Sequence, residues 1–207
     1  EAAEIFEQLV NSYPRSELAQ GALSYASSNY NELENHEAAI RVNETYVSLF
    51  PDAEDANIYL FENAAHFLKL NQMDKANDIY RRFSQKFPDD PRVVQAFFER
   101  GAYFLSGGNR NQAEREFRQT VDAHNRLVSK KIAGNPKYAS QALSQLLRWE
   151  HDEYDNLKFT LPADNITASV ERKKQWRNSL YKKYQQILEL GQKEGFSAYF
   201  QLGMLDE

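Results

Sequence analysis

The stretch Ala76-Asn-Asp-Ile-Tyr-Arg-Arg-Phe-Ser-Gln-Lys-Phe-Pro88 decides how this chain reads, because it recurs. Shifted back 37 residues, Ala39, Val42, Tyr46, Phe50 and Pro51 fall under Ala76, Ile79, Phe83, Phe87 and Pro88. A second shift gives Ala2, Ile5, Leu9, Tyr13 and Pro14. Shifted forward, Ala113 and Phe117 fall under Ala76 and Tyr80, while Asn125 takes the place of the proline. The apolar residues stand three and four apart, which is helical spacing. Proline closes each copy because it lacks the N–H and restricts the residue before it. Self-similarity at this period marks a stacked array, in which each unit buries its apolar face only against its neighbours.

The segments between these copies keep the same period. Ala19, Ala56 and Val93 align, then Leu23, Leu60 and Phe97, then Ser27, Ala64 and Gly101, then Tyr30, Phe67 and Phe104. Small residues at one recurring site let helix backbones approach closely, and the aromatic a turn later fills the space beside them. The pattern predicts helices over 1–13, 17–32, 37–50, 54–70 and 74–87, with Ser16 as the cap of the second. Asp90 is predicted to cap the next helix with Pro91 at its first position; that helix ends at Gly107-Gly108, and its partner runs from Asn111 into the 120s. After residue 125 the period breaks. Lys130 to Pro136 reads as a loop, Lys137 to Asn156 as a helix, and residues 165–190 as one long helix with Asp164 as its cap. Phe196 to Glu207 reads as the opening helix of another unit, with Gly203 at the small site. The first helix lacks its cap and the last lacks its partner, so the expectation is a fragment of a longer chain.

The order large, small, aromatic, then alanine, aromatic and proline resembles the tetratricopeptide repeat, W-x2-L-G-x2-Y…A-x3-F…P. The second unit reads Leu60…Ala64…Phe67…Ala76…Tyr80…Pro88, and the third Phe97…Gly101…Phe104…Ala113…Phe117. The usual period is about 34 residues; the extra residues fall in the link after each proline. The resemblance covers residues 1–125 and implies an all-α, right-handed superhelical array of antiparallel helix pairs, followed by irregular helical repeats over 126–207. The aromatic pairs Tyr46/Phe50 and Phe83/Phe87 before proline are similar to units in bacterial envelope proteins, such as outer-membrane assembly lipoproteins and the Tol-associated coordinator of cell division. Leu180 to Leu205 resembles long envelope tetratricopeptide proteins of delta-proteobacteria, including ones tied to gliding. These likenesses imply a periplasmic or envelope location, with a cytoplasmic one as the alternative.

Composition narrows the function. Hydrophobic residues make up 42% and aromatics 13% of 207 residues, enough to fill a core. A net charge of -5 argues against a general nucleic-acid surface, which needs excess Lys and Arg. There is no cysteine, which removes disulfides, cysteine zinc sites and thiol nucleophiles together. No apolar run is long enough to span a bilayer, and the first residues show no basic region followed by an apolar stretch; with a fragment expected, a signal or anchor upstream belongs to the part cut away.

The first helices of the second and third units are apolar nearly all round, whereas a helix buried on one side needs only a stripe. Leu60, Ala64 and Phe67 take the repeat-core face. That leaves Ile58, Phe61, Ala65, Leu68 and Lys69 on another face, with Gln95, Phe98, Ala102 and Leu105 equivalent. The resemblance implies that this face lines a concave groove centred on Phe61 and Phe98. One reading is a docking site for a peptide or helix of a partner protein; the other is a groove filled by the chain itself. The expectation is therefore a non-catalytic interaction scaffold, with a docking domain attached to an enzyme, or a structural spacer, as alternatives. No cofactor or metal is expected. His151 and Asp155 stand at i, i+4, a workable ligand pair, but two ligands do not make a site and no H-E-x-x-H accompanies them. His36, His66 and His124 are scattered, without a serine or carboxylate at nucleophile–base spacing. Arg172, Lys173, Lys174, Arg177, Lys182 and Lys183 read as a solvated basic face, and the sequons at Asn43 and Asn165 as chance.

Overall fold

The 37-residue period of the side chains reappears in the backbone of the computed structural model, which describes residues 1–156 and 163–206. Helices α2 (Ala19–Glu32), α4 (Ala56–Lys69) and α6 (Val93–Ser106) start and stop in step, as do α3 (His36–Leu49) and α5 (Met73–Lys86). Helix α7 (Arg110–Ser129) starts in step too, then runs on past the point where α3 and α5 end, because no proline stops it there. Helices α1 (Ala2–Ser12), α8 (Pro136–Asp155), α9 (Ala163–Glu189) and α10 (Glu194–Asp206) complete the described fold, which has no strand among the described residues. The expected cap at Asp164 rests on a side chain outside the described ones.

The turns from α2 to α3, α4 to α5 and α6 to α7 share one design. Glu34, Asn71 and Gly108 adopt positive φ angles of 52°, 57° and 75°. The N–H of the following residue then returns to a carbonyl five positions back: Asn35 to Tyr30, Gln72 to Phe67 and Asn109 to Phe104, each at 2.9 Å. A left-handed residue with this return bond satisfies the last carbonyls of the first helix. Asn35 and Asn109 next accept from the N–H groups of Ala38 and Gln112, each at 3.1 Å, and so cap α3 and α7.

The link after each proline is itself a turn, and this displaces two expected caps. Ser16, Ala53 and Asp90 donate their N–H to the carbonyls of Tyr13, Phe50 and Phe87 at 3.0, 3.2 and 3.1 Å. Consequently α2 begins at Ala19 rather than next to Ser16, whose hydroxyl accepts from the Leu18 N–H within the turn. Likewise α6 begins at Val93 with Arg92, not Asp90, at its N-cap position, and the Asp90 carboxylate accepts from Asn57 Nδ2 at 2.7 Å.

Two compact units result, Glu1–Asp90 and Pro91–Glu207. In the first, α1 to α5 pack in chain order, with Val10, Leu23, Val42, Tyr46, Leu60 and Phe83 fully buried. The aromatic pairs that precede proline have one geometry: Tyr46–Phe50 and Phe83–Phe87 ring centroids both lie 5.5 Å apart. In the second unit α6 to α10 also pack in chain order, and α8 additionally touches α6 and α10. Within this second unit the first helices α6, α8 and α10 thus lie side by side in turn. The recurring small site works as expected: a Cβ added to Gly101 would sit 2.6 Å from ring atoms of Phe117. Along α9 the buried residues are Leu180, Tyr184 and Ile187, whereas Val170 is exposed.

Candidate functional site

The nine candidate groove residues divide between the two units. In the first, Phe61 turns toward α5, its ring edge-on to Tyr80 at 5.6 Å and to Phe83 at 4.8 Å. It is part of the seam within one helix pair. Ile58, Ala65, Leu68 and Lys69 are exposed along α4.

In the second unit the expected residues meet a second wall. Phe98, Ala102 and Leu105 of α6, with Ser106 and Phe117, line one side of a cavity of about 500 Å³. Across it stand Gln141, Ser144, Gln145 and Arg148 of α8, with Glu194 of α10 at the margin. Gln95 is half-buried on α6 but does not line this cavity. Phe98 is held between Phe117, at 5.6 Å between centroids, and Tyr138, at 5.2 Å, while Leu105 remains 37% exposed at the rim. One wall is therefore mainly apolar, the other polar.

That polar wall is unengaged. Among the described residues Gln141, Ser144, Gln145 and Arg148 make no side-chain hydrogen bond or ion pair, whereas Glu194 accepts from the Ser140 hydroxyl at 3.2 Å. Beside Phe98, burial holds the Glu99 carboxyl above the usual carboxylate range, opposed by a hydrogen bond from Gln95 and the charge of Lys137. Sequence reading missed the α8 wall because α8 lies beyond the point where the period fades. The available signal was the polar spacing of residues 141, 145 and 148 opposite the apolar stripe Ala139, Ala142 and Leu143.

The other candidates are accounted for by the structure. His151 and Asp155 do share a face, Nε2 to carboxylate 3.7 Å, but His151 Nδ1 is engaged by the Tyr184 hydroxyl at 2.7 Å. Burial first, then the charges of Asp155, Glu150 and Asp152, push the Tyr184 phenol up to about 12. No group of three or more metal-capable side chains occurs among the described residues. Of the basic cluster on α9, Lys183 is paired with Glu150 at 2.6 Å and Lys173 lies 4.7 Å from the Tyr154 ring centroid. The sequon at Asn43 is inaccessible in the fold, since Asn43 is 0% exposed; the Asn165 side chain lies outside the described ones.

Residues 65–90 match the tetratricopeptide repeat family model. No curated protein matches the chain. No helix among the described residues is long and apolar enough to cross a membrane. The match supports the tetratricopeptide family, and the structure is an all-α, tetratricopeptide-like helical repeat array, the architecture of a protein–protein interaction scaffold.

Proposed function

We propose that this protein is a non-catalytic scaffold that holds a segment of a partner protein in the groove between α6 and α8. The observation that carries this reading is an apolar wall of Phe98, Ala102 and Leu105 facing a row of unengaged polar side chains across about 500 Å³. That volume falls in the range of real binding sites, and their usual chemistry is the same: apolar surface with a few placed polar groups. Gln141 and Gln145 are four residues apart on one helix, about 6 Å along its axis. Backbone groups on one edge of an extended chain recur about every 6.6 Å. An extended peptide can therefore meet both amides in succession while its apolar side chains fill the α6 wall.

The partner is a protein and not a nucleic acid, in keeping with the acidic balance of the chain. We place the scaffold in an assembly or motility complex of the bacterial envelope, in the periplasm, on the likeness of its aromatic–aromatic–proline helix ends to envelope repeats. Panning a random displayed-peptide library against the chain tests the groove. Enriched peptides should lose binding to Leu105→Asp and to Gln141→Ala/Gln145→Ala, and keep it for Leu33→Asp on the exposed end of the first unit. Peptides that bind all three variants equally would sink the reading.

A further inference from the structure

Two imidazoles meet at the seam between α3 and α4. His36 opens α3 and His66 lies in the last turn of α4, with their Nδ1 atoms 3.2 Å apart and ring centroids 5.3 Å apart. His66 is only 9% exposed, and its Nε2 is buried without a hydrogen-bond partner. At this separation one Nδ1 carries a hydrogen and the other supplies a lone pair. If His36 were the donor, His66 would carry its hydrogen on Nε2, a buried N–H with no acceptor, which is the costlier orphan. The geometry therefore selects His66 Nδ1–H donating to His36 Nδ1.

This arrangement has no place for an added proton. On His36 Nδ1 it sets two N–H groups face to face, and on His66 Nε2 it creates a buried charge without an acceptor. We propose that the His36–His66 pair is a proton-sensitive joint between adjacent repeats, closed while both rings are neutral and loosened when the pair takes up a proton. Helix α3 ends one repeat and α4 begins the next, so the joint acts on the packing of neighbouring repeats within the first unit. The charged groups nearest these two in sequence are Glu32 at the end of α2, Glu34 in the turn after it, Glu37 on α3, and Glu62 and Lys69 on α4, with Asp74 and Lys75 in the first turn of α5; further along α3 and α5, Arg41, Glu44 and Arg82 are engaged in ion pairs of their own. Burial first, and the charge of His36 second, hold His66 below the ordinary imidazole range. The sign follows: neutral pH closes the joint and falling pH opens it, within the range where histidine charge changes.

The test uses the full chain, with nitrogen–proton correlation spectra of the imidazole rings and residue-resolved hydrogen exchange between pH 7.5 and 5.5. The expected result is the Nδ1–H tautomer of His66 at pH 7.5. On acidification, exchange in the first turn of α3 and the last turn of α4 should speed up several-fold more than in α9, after correction for intrinsic rates. His66→Phe should abolish that excess, and the more exposed His36→Gln should move the His66 titration upward. An Nε2–H tautomer, a His66 titration unchanged by His36→Gln, or equal acceleration in α9 would overturn the proposal.

Discussion

Asn43→Leu tests how the first unit is held together. The Ser27 hydroxyl donates to Asn43 Oδ1 at 2.6 Å, and Asn43 Nδ2 donates to Asn63 Oδ1 at 3.0 Å. Asn63 Nδ2 reaches Glu44 at 3.4 Å, and Arg82 grips the same carboxylate at 2.8 and 3.0 Å. This polar thread crosses α2, α3, α4 and α5, and its first three members are buried. Leucine at 43 leaves the Ser27 hydroxyl and the Asn63 carbonyl oxygen away from water without partners. Each orphan costs about 1–3 kcal/mol, so the expected loss is ~2–6 kcal/mol. With a urea slope of about 2 kcal/mol per molar, the unfolding midpoint falls by ~1–3 M. Ser27→Ala, Asn43→Leu and Asn63→Leu together remove both orphans, and most of the loss should return. Equilibrium urea unfolding followed by circular dichroism reads both. A single variant within about 0.5 kcal/mol of wild type, or a triple variant no better than the single, would refute the reasoning.

The groove separates into a probe of binding and a probe of folding. Leu105→Asp at the exposed rim should change stability by less than about 1 kcal/mol and abolish peptide capture, whereas Phe98→Asp, wedged between Phe117 and Tyr138, should cost ~3 kcal/mol or more in urea unfolding. Gly101→Ala should lower Tm, because about 1–3 kcal/mol of overpacking against Phe117 outweighs the helix-propensity gain of about 1 kcal/mol; a clear rise would contradict the close approach. Glu34→Gly should raise Tm by relieving about 1 kcal/mol of left-handed strain at φ 52°, and an unchanged Tm counts against the turn geometry. Burial holds His124 below the ordinary imidazole value of 6.5. Its neutral form therefore contributes stability that is fully present above about pH 6.5 and lost as pH falls through the folded-state titration. His124→Gln should flatten that part of the stability–pH profile.

How much was legible in the sequence follows from what repeats. Ala76, Phe83 and Pro88 have counterparts one period away, and the fold, the helix pairs and the small site at Gly101 followed from that self-similarity. Caps at Ser16 and Asp90 were misplaced because the link after proline is a turn in its own right, which the composition of a short link does not reveal. The α8 wall of the groove fell outside the period, where single-helix patterning shows which face is polar but not what that face opposes. The meeting of His36 and His66 was illegible for a related reason. Their spacing of 30 residues matches neither the helical turn nor the repeat, and only the packing of α3 on α4 brings them together.

The two halves of the expected groove diverge at a single aligned position. Phe61 and Phe98 are equivalent, and each keeps one aromatic partner at the same distance, Tyr80 or Phe117 at 5.6 Å. The second partner of Phe61 is Phe83, at 4.8 Å. One period later that position is Thr120, whose hydroxyl bonds back to the Glu116 carbonyl at 2.9 Å within its own helix. The smaller residue leaves Phe98 without a second ring from its own helix pair. Phe98 finds one on α8 instead, in Tyr138, and the same approach sets its helix opposite the polar row of α8. An identical first-helix aromatic thus packs only within its own helix pair in one unit and also lines the α6–α8 cavity in the other. What differs is the partner helix: an aromatic at 83 closes the seam within the pair, and a threonine at 120 hands the contact to the next pair.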